Sequence, residues 1–330
     1  MHRVLTKERL KSKPFVEPMP HVVILGAGAS KQAFLKGDRN GMLVPLMNEL
    51  PMILGDKWKK LVQDASPPEG DFESQFSWLK RDKDYASQLL EVEEILERYF
   101  EELQLPDHPT IYDYLVLGLR GKDIIATFNW DPFLIQAHKR NNDVAELPDI
   151  RFLHGCVAFA TCDKHDILGM PSEICPKCNQ LLSKGRLFFP DEDKDYASDE
   201  LIQRDWKVVT DSLERAFHLT IFGYAGPATD YKARKLILDG WECAPMRPGR
   251  HLEIIDIANK DILRNNWADY IPFHHDMITP DFWSSTIARW PRRTAEYKIS
   301  ASKFGIPSEC LGPFITNTLK ELQDWFSELN

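Results

Sequence analysis

The stretch HVVILGAGAS, from His21 to Ser30, organises the chain. Its four apolar residues, Val22 to Leu25, read as a buried strand. Gly26-Ala27-Gly28-Ala29-Ser30 then turns directly out of it. A strand that breaks into glycines ahead of a helix has the local chemistry of a nucleotide-binding turn. Glycine lets a phosphate come close to the backbone, and the start of the helix offers free N–H groups and the positive end of its dipole. The third glycine of the dinucleotide fingerprint is absent, because Lys31 and Gln32 follow Ser30. A short glycine turn also serves simply as a turn, so the nucleotide assignment draws on what lies further along.

The 330 residues suffice for one large domain with an insertion, or for two domains, with a substantial core. Hydrophobic residues make up 43% and charged residues 28%, which is ordinary globular composition. A net charge of −9 argues against binding duplex DNA by general electrostatics, so no direct nucleic-acid contact is expected. No apolar run approaches the roughly 20 residues that cross a bilayer. The opening MHRVLTKERLKSKPF is basic but lacks an apolar centre and a small-residue cleavage site, so it does not read as a secretory signal. The expectation is a cytoplasmic protein. Of its six cysteines, Cys156, Cys162, Cys175 and Cys178 fall in one short segment, while Cys243 and Cys310 stand apart. In a reducing compartment such clustering points to metal rather than to disulfides.

Residues 1–18 read as a poorly anchored lead-in. After GAGAS, the segment KQAFLKGDRNGMLVP is too polar and glycine-rich to be helical throughout and predicts a loop over the nucleotide site. A helical stretch is expected around Leu46 to Leu54, and DASPPEG (Asp64 to Gly70) interrupts it with two prolines and a glycine. Tyr85 to Leu103 predicts a long amphipathic helix, with Leu89, Val92, Ile95, Leu96, Tyr99, Phe100 and Leu103 on one face and glutamates, a solvated surface, on the other. A second helix is expected over Thr110 to Leu119. Strands then recur: Asp123 to Phe128, Ile150 to Leu153, His218 to Phe222 and Leu252 to Ile257, each short, apolar and followed by polar residues or glycine. Strands of this kind between helices predict an α/β fold, a Rossmann-like parallel sheet with helices on both faces and ligands at the carboxyl ends of the strands. Pro313 to Leu329 predicts a closing helix docked on the sheet. The expected organisation is a first Rossmann-like part over 19–158 with a helical insertion at about 45–105, a small zinc module over 159–200, and a second Rossmann-like part over 201–330.

Cys162-x2-His165 and Cys175-x2-Cys178, nine residues apart, form two ligand pairs, each able to sit on a tight knuckle. Thiolate and imidazole are the ligands preferred by a tetrahedral structural Zn²⁺, and four protein ligands leave no open position for catalysis. Cys156 in place of His165 is the alternative fourth ligand. Asn129 and Asp131 follow a strand, and the position before Pro132 favours extended backbone, which places two polar side chains at the mouth of the sheet. His154 ends another strand. Asx residues at strand ends often only cap helices, and a lone histidine is often structural. Gathered on neighbouring strand ends, the three form a plausible acid/base group.

The order GAGAS, TFNWD (Thr127 to Asp131), LHG (Leu153 to Gly155), CDKH…CPKC, then the FGYAG and IIDIAN strand ends, resembles the sirtuin (SIR2) family over about residues 20–260. The resemblance implies a Rossmann-like NAD domain carrying a zinc module and a helical module, and cleavage of the bond between nicotinamide and ribose. Carried over by motif, Gly26, Ala27, Gly28, Ser30 and Thr127 hold NAD around its phosphates and ribose. Asn129 and Asp131 sit by the nicotinamide ribose, and His154 is the catalytic histidine. Gly223, Asp256 and Asn259 face the adenosine half. The Gly-Ile-Pro-x-Phe-Arg motif of sirtuin deacylases has no counterpart here. Phe128 stands where a glutamine normally precedes the asparagine. Phe188-Phe189-Pro190-Asp191 replaces the Phe-Gly-Glu that ends the peptide-pairing strand, and His165 replaces one zinc cysteine. These departures fall on acyl-lysine recognition, so the resemblance is to the divergent bacterial SIR2-like proteins, many of which hydrolyse NAD in antiphage defence. An NAD⁺ glycohydrolase is the leading expectation, held in check by an oligomer or a partner protein. A protein-lysine deacylase and a non-catalytic NAD or ADP-ribose sensor are the alternatives.

Overall fold

Apolar side chains alternate between two cores along the central strands, and that alternation sets the layers. The computed structural model describes residues 19–162, 164–185, 187–189, 196–226, 230–242, 250–268, 276–298, 310, 312 and 314–329. The expected lead-in over 1–18, and Pro190 and Asp191, lie outside the described residues. In chain order the strands are β1 (His21–Leu25), β2 (Ile124–Thr127), β3 (Asp149–Phe152), β4 (Ala160–Cys162), β5 (His165–Gly169), β6 (Ser183–Lys184), β7 (His218–Phe222), β8 (His251–Ile255) and β9 (Asp276–Thr279). The helices of the first half are α1 (Ala27–Ala33), α2 (Leu50–Leu54), α3 (Asp56–Ala65), α4 (Phe72–Lys80), α5 (Ala86–Glu101), α6 (Ile111–Gly118) and α7 (Phe133–Asn141). Those of the second half are α8 (Glu200–Arg215), α9 (Tyr231–Glu242), α10 (Lys260–Asn266), α11 (Thr286–Arg289) and α12 (Leu319–Ser327).

Six strands form one parallel sheet in the order β3-β2-β1-β7-β8-β9. This is the doubly wound order, reversing direction between β1 and β7, with β4 to β6 inserted as a separate three-stranded antiparallel sheet. In β1, Val23 and Leu25 join Ile125, Phe222 and Ile255 in the core beneath α1 to α7. Val22 and Ile24 join Ile124, Ala126, Leu219, Ile221, Leu252 and Ile254 in the opposite core, under α8, α9 and α10. The Rossmann-like sheet with helices on both faces is therefore as expected.

Polar residues inside these strands gather at the amino end of the sheet. His21 bonds Thr294 Oγ1 through Nδ1 at 2.7 Å and Thr220 Oγ1 through Nε2 at 2.8 Å. Thr220 donates to Glu253 Oε2 at 3.0 Å, and Thr286 N donates to Glu253 Oε1 at 2.7 Å. Burial lowers the pKa of His21 and raises that of Glu253, which favours the neutral form of each.

Several segments differ from the sequence expectation. The Leu46 to Leu54 helix is a 3₁₀ turn at Met47–Glu49 followed by α2. β8 stops at Ile255, where Asp256 N donates to Thr279 O of the neighbouring strand at 3.0 Å. β9 itself was not anticipated, because DMIT has only two strongly apolar residues and little periodicity to read. The closing helix begins at Leu319, capped by Thr318, and docks on α7 rather than on the sheet. Gln323 Nε2 donates to Arg140 O at 2.9 Å and Asn141 Oδ1 at 3.1 Å, while Leu322 and Phe326 fill the core. Among the described residues, no helix is long and apolar enough to cross a membrane.

Candidate active site

The switch between β1 and β7 is built by three glycines. Gly26 N donates to Phe222 O at 2.9 Å, and Gly28 N donates to Gly223 O at 2.9 Å. Gly223 has φ +64, and a Cβ there would lie 2.0 Å from Ala29 N. A Cβ on Gly26 would lie 2.5 Å from Gly223 O, and one on Gly28 2.8 Å from Gly223 Cα. The glycines thus let the first turn of α1 rest on the end of β7. The close approach is backbone against backbone, and the Gly28 amide is already committed rather than free for a phosphate.

Above this junction opens a cavity of about 490 Å³, within the roughly 300–1,000 Å³ of small-molecule sites. It lies at the carboxyl ends of β1, β2, β7 and β8, beside the switch in strand order, where open α/β sheets bind ligands. Gly26, Ala27, Gly28, Asn129, Asp131, His154, Gly223 and Asp256 all line it. Leu35, Val44, Leu46, Met47 and Leu50 supply an apolar wall from the segment after α1 and from α2. The segment expected to form a loop thus lines the cavity, with its first residues, Lys31 to Ala33, still in α1.

Two buried polar groups each contribute residues to the lining of this cavity. In the first, Asn129 Nδ2 donates to Gly26 O and Ser30 Oγ at 3.0 Å each, and to Tyr112 OH at 3.2 Å. Ser30 Oγ donates to Asp131 Oδ2 at 2.6 Å and lies 2.6 Å from Tyr112 OH. An ionised Asp131 only accepts, so Ser30 gives it a proton, Tyr112 donates to Ser30, and Asn129 donates to Tyr112. Burial raises the Asp131 pKa to about 6, against the lowering effect of the Ser30 bond. Asn129 Oδ1 is buried without a hydrogen-bond partner among the described residues. An unpaired buried carbonyl is costly, and this one belongs to a residue that lines the cavity.

The second group centres on His154. Its Nε2 lies 2.8 Å from Tyr196 OH, Tyr196 OH donates to Asp230 Oδ1 at 3.5 Å, and Tyr224 OH donates to Asp230 Oδ2 at 2.8 Å. Phe128, at the position occupied by glutamine in the sirtuin pattern, packs edge-on to the His154 ring at 4.7 Å and against Tyr224 at 4.4 Å.

Three expected cofactor residues do not line the cavity. Ser30 is fully buried behind Asn129 and Asp131, where it links them. Thr127 accepts from Asn129 N at 3.0 Å and so fixes the turn after β2. Asn259 caps α10, accepting from Asp261 N at 2.8 Å. Sequence inspection missed Tyr112, Tyr196, Tyr224 and Asp230. The tyrosines look like core residues and Asp230 like a surface acid; only the fold brings Tyr224 and Asp230 to the cavity, and Tyr112 and Tyr196 against Asn129 and His154.

In the inserted module the side-chain donors of Cys162, His165, Cys175 and Cys178 lie within 4.8 Å of one another. Cys162 Sγ and Cys175 Sγ are each 3.5 Å from His165 Nδ1, and Cys162 Sγ is 3.6 Å from Cys178 Sγ. With Zn–S near 2.3 Å and Zn–N near 2.0–2.1 Å, a tetrahedral site has edges of roughly 3.5–3.8 Å, so the donor set fits zinc. β4 and β5 carry the first pair across a register shift after Thr161, and Cys175 N donates to Gln180 O at 2.8 Å to close the second knuckle. Cys156 is not part of the group. Its thiol donates to Asp131 O at 3.4 Å, and burial pushes its pKa up.

No protein-family model matches the chain, and no curated protein matches it. Similar solved structures include one titled for the structural basis of sirtuin substrate affinity, with 19% identity, 74% of this chain and 86% of that chain covered, and a TM-score of 0.39. Another, titled for the mechanism and regulation of Sir2 enzymes, has 15% identity, coverage of 82% and 89%, and a TM-score of 0.38. A third, Sir2 with an inhibitor, 2′-O-acetyl-ADP-ribose and a deacetylated p53 peptide, has 15% identity, coverage of 87% and 94%, and a TM-score of 0.36. The strand order and the cavity of this chain stand independently of these likenesses.

Proposed function

We propose that this chain is a SIR2-like NAD⁺ glycohydrolase, cleaving NAD⁺ with water to nicotinamide and ADP-ribose. The observation that carries the reading is the partnerless, buried Asn129 Oδ1 of a residue lining a cavity at the strand switch that Asp131 and His154 also line. Cleavage breaks the C1′–N bond, and its electron pair neutralises the pyridinium as nicotinamide leaves. Positive charge develops on the ribose, where an acceptor oxygen and an ionised carboxylate stabilise it and a donor does not. Asn129 spends its amide hydrogens on Gly26, Ser30 and Tyr112, which leaves only the oxygen for that charge. Water then bonds C1′ and loses a proton to His154, acting as general base. In this reading Asp256, which lines the cavity just past β8, meets the adenosine half.

Water is favoured over an acyl-lysine acceptor because Phe188 and Phe189 turn inward. Phe189 packs on Trp130 at 4.9 Å and Phe188 against Tyr196 at 5.8 Å, and Phe188 N donates to His154 O at 2.9 Å. Among the described residues this segment forms no strand for a peptide to pair with. A structural Zn²⁺ held by Cys162, His165, Cys175 and Cys178 belongs to the same proposal. It would tie the two knuckles together and take no part in the reaction. The test is Asn129→Ala, expected to lower NAD⁺ consumption by roughly 10²-fold or more, in the range seen when one charge-stabilising group is removed. Unchanged turnover in the folded variant would remove the observation on which the assignment rests.

A further inference from the structure

We propose that Asp230, acting through the Tyr196 hydroxyl, is a positioning residue for His154: it fixes which imidazole nitrogen carries hydrogen and stabilises the ring once it is protonated. The catalytic consequence rests on the hydrolase reading above. The relay itself stands on geometry.

His154, Tyr196, Tyr224 and Asp230 are all at most 8% exposed, so their hydrogen bonds act in a medium of low polarity. An ionised carboxylate only accepts, so Tyr224 gives its proton to Asp230 Oδ2 at 2.8 Å and Tyr196 gives its proton to Oδ1 over a longer 3.5 Å. With its proton directed to Asp230, the Tyr196 oxygen offers His154 Nε2, 2.8 Å away, a lone pair. Nε2 therefore carries the hydrogen, and the imidazole lone pair resides on Nδ1. Burial first, and the Asp230 charge second, push the Tyr196 pKa far up, so this phenol relays polarity without losing its proton.

Other charged groups of the described residues lie near the relay. Glu73 also faces Tyr196, and Asp131 shares the cavity. Among the described residues the one lysine or arginine lining the cavity is Lys31, whose Nζ is held by both Glu49 oxygens at 2.8 and 2.6 Å. Phe128, Phe188, Trp206 and Trp267 also pack around the relay. When water bonds C1′ its proton passes to Nδ1. The resulting imidazolium donates through Nε2 to Tyr196, and the proton later leaves to solvent. Asp230 thus steadies the charged ring through the Tyr196 hydroxyl.

Imidazole NMR of histidine-labelled protein without NAD⁺ tests the relay. The His154 signal is identified by its loss in His154→Gln. Wild-type His154 is expected as the Nε2–H tautomer, with its titration midpoint lower by about one pH unit in Tyr196→Phe and in Asp230→Asn, the size of effect a nearby carboxylate exerts. An Nδ1–H tautomer, or an unchanged midpoint in variants whose near-UV circular dichroism is native, overturns the proposal. Tyr196→Phe keeps the ring and its packing, so the test survives if Asp230→Asn does not fold. With NAD⁺, the acid limb of kcat is expected at lower pH in Tyr196→Phe, with KM within about threefold of wild type, since a base that charges less readily stays active further into acid. A limb that does not move counts against the relay. If wild type consumes no NAD⁺, the hydrolase reading fails while the NMR result still decides the relay.

Discussion

Asp131 concentrates the chemistry and the cost of the site in one side chain. Its pKa is raised to about 6, so the folded protein binds this proton more tightly than the unfolded chain, whose value is near 3.8. A raised carboxyl stabilises the fold when protonated, so this contribution is lost as pH rises from about 4 through 6. At roughly 1.4 kcal/mol per pH unit the linkage amounts to about 3 kcal/mol, less about 1 kcal/mol for a weakened hydrogen bond in the variant. Asp131→Asn is therefore expected to be more stable than wild type by about 1–2 kcal/mol at pH 7.5, with the gain shrinking toward pH 4.5, and to lose most NAD⁺ turnover. Denaturant melts at both pH values check the first expectation. A variant less stable than wild type at neutral pH would show that the carboxylate is well solvated. Asn129, Asp131 and His154 were legible as candidates because each directly follows a strand. Their partners were not, since Tyr112 lies 17 positions from Asn129, Tyr196 lies 42 from His154 and Asp230 lies 34 from Tyr196, and no local pattern connects them.

Among the elements, the turn from β1 into α1 was readable from its glycines, although their reason was only half visible. The sequence suggests room for phosphate, whereas the structure shows that Gly26 and Gly28 make room for Gly223, on a strand almost two hundred residues later. Gly223→Ala should accordingly disrupt the junction, because its Cβ meets the Ala29 amide at 2.0 Å and φ is +64. A loss of about 2–4 kcal/mol in stability is expected from strain and displaced backbone together. A melting temperature equal to wild type would refute the close contact. Amphipathic α5 was legible from its apolar spacing, and β1, β2, β3, β7 and β8 from their runs of apolar residues. β9 escaped because DMIT lacks such a run. The start of α12 escaped because its capping box, Thr318 with Glu321, lies inside a longer apolar pattern. The Cys162, His165, Cys175 and Cys178 cluster was legible because ligand spacing is a local property. Cys175→Ser is expected to lose zinc and to expose the module to protease, while His165→Cys, a four-thiolate set, should retain one Zn²⁺ per chain by elemental analysis. Full zinc in Cys175→Ser would dissociate that residue from the site.

Across the whole molecule, two half-sheets meet at β1 and β7, and every group proposed for catalysis hangs over that seam. The cores on the two faces hold the strand ends in place. The helical segment from α2 to α5 walls the cavity on one side, and the inserted module leads into the Phe188–Phe189 segment beneath His154. Such an arrangement brings Asn129, Asp131 and His154 to one cavity, with Phe188 and Phe189 packed inward beside His154. The measurement that tests this most directly is incubation of the purified, zinc-replete chain with NAD⁺, with and without an acetyl-lysine peptide, products being resolved by chromatography. Nicotinamide and ADP-ribose in equal amounts, at a rate indifferent to peptide and abolished in His154→Ala, is the predicted result. O-acetyl-ADP-ribose formed only when peptide is present, or NAD⁺ recovered intact at stoichiometric enzyme, would contradict it.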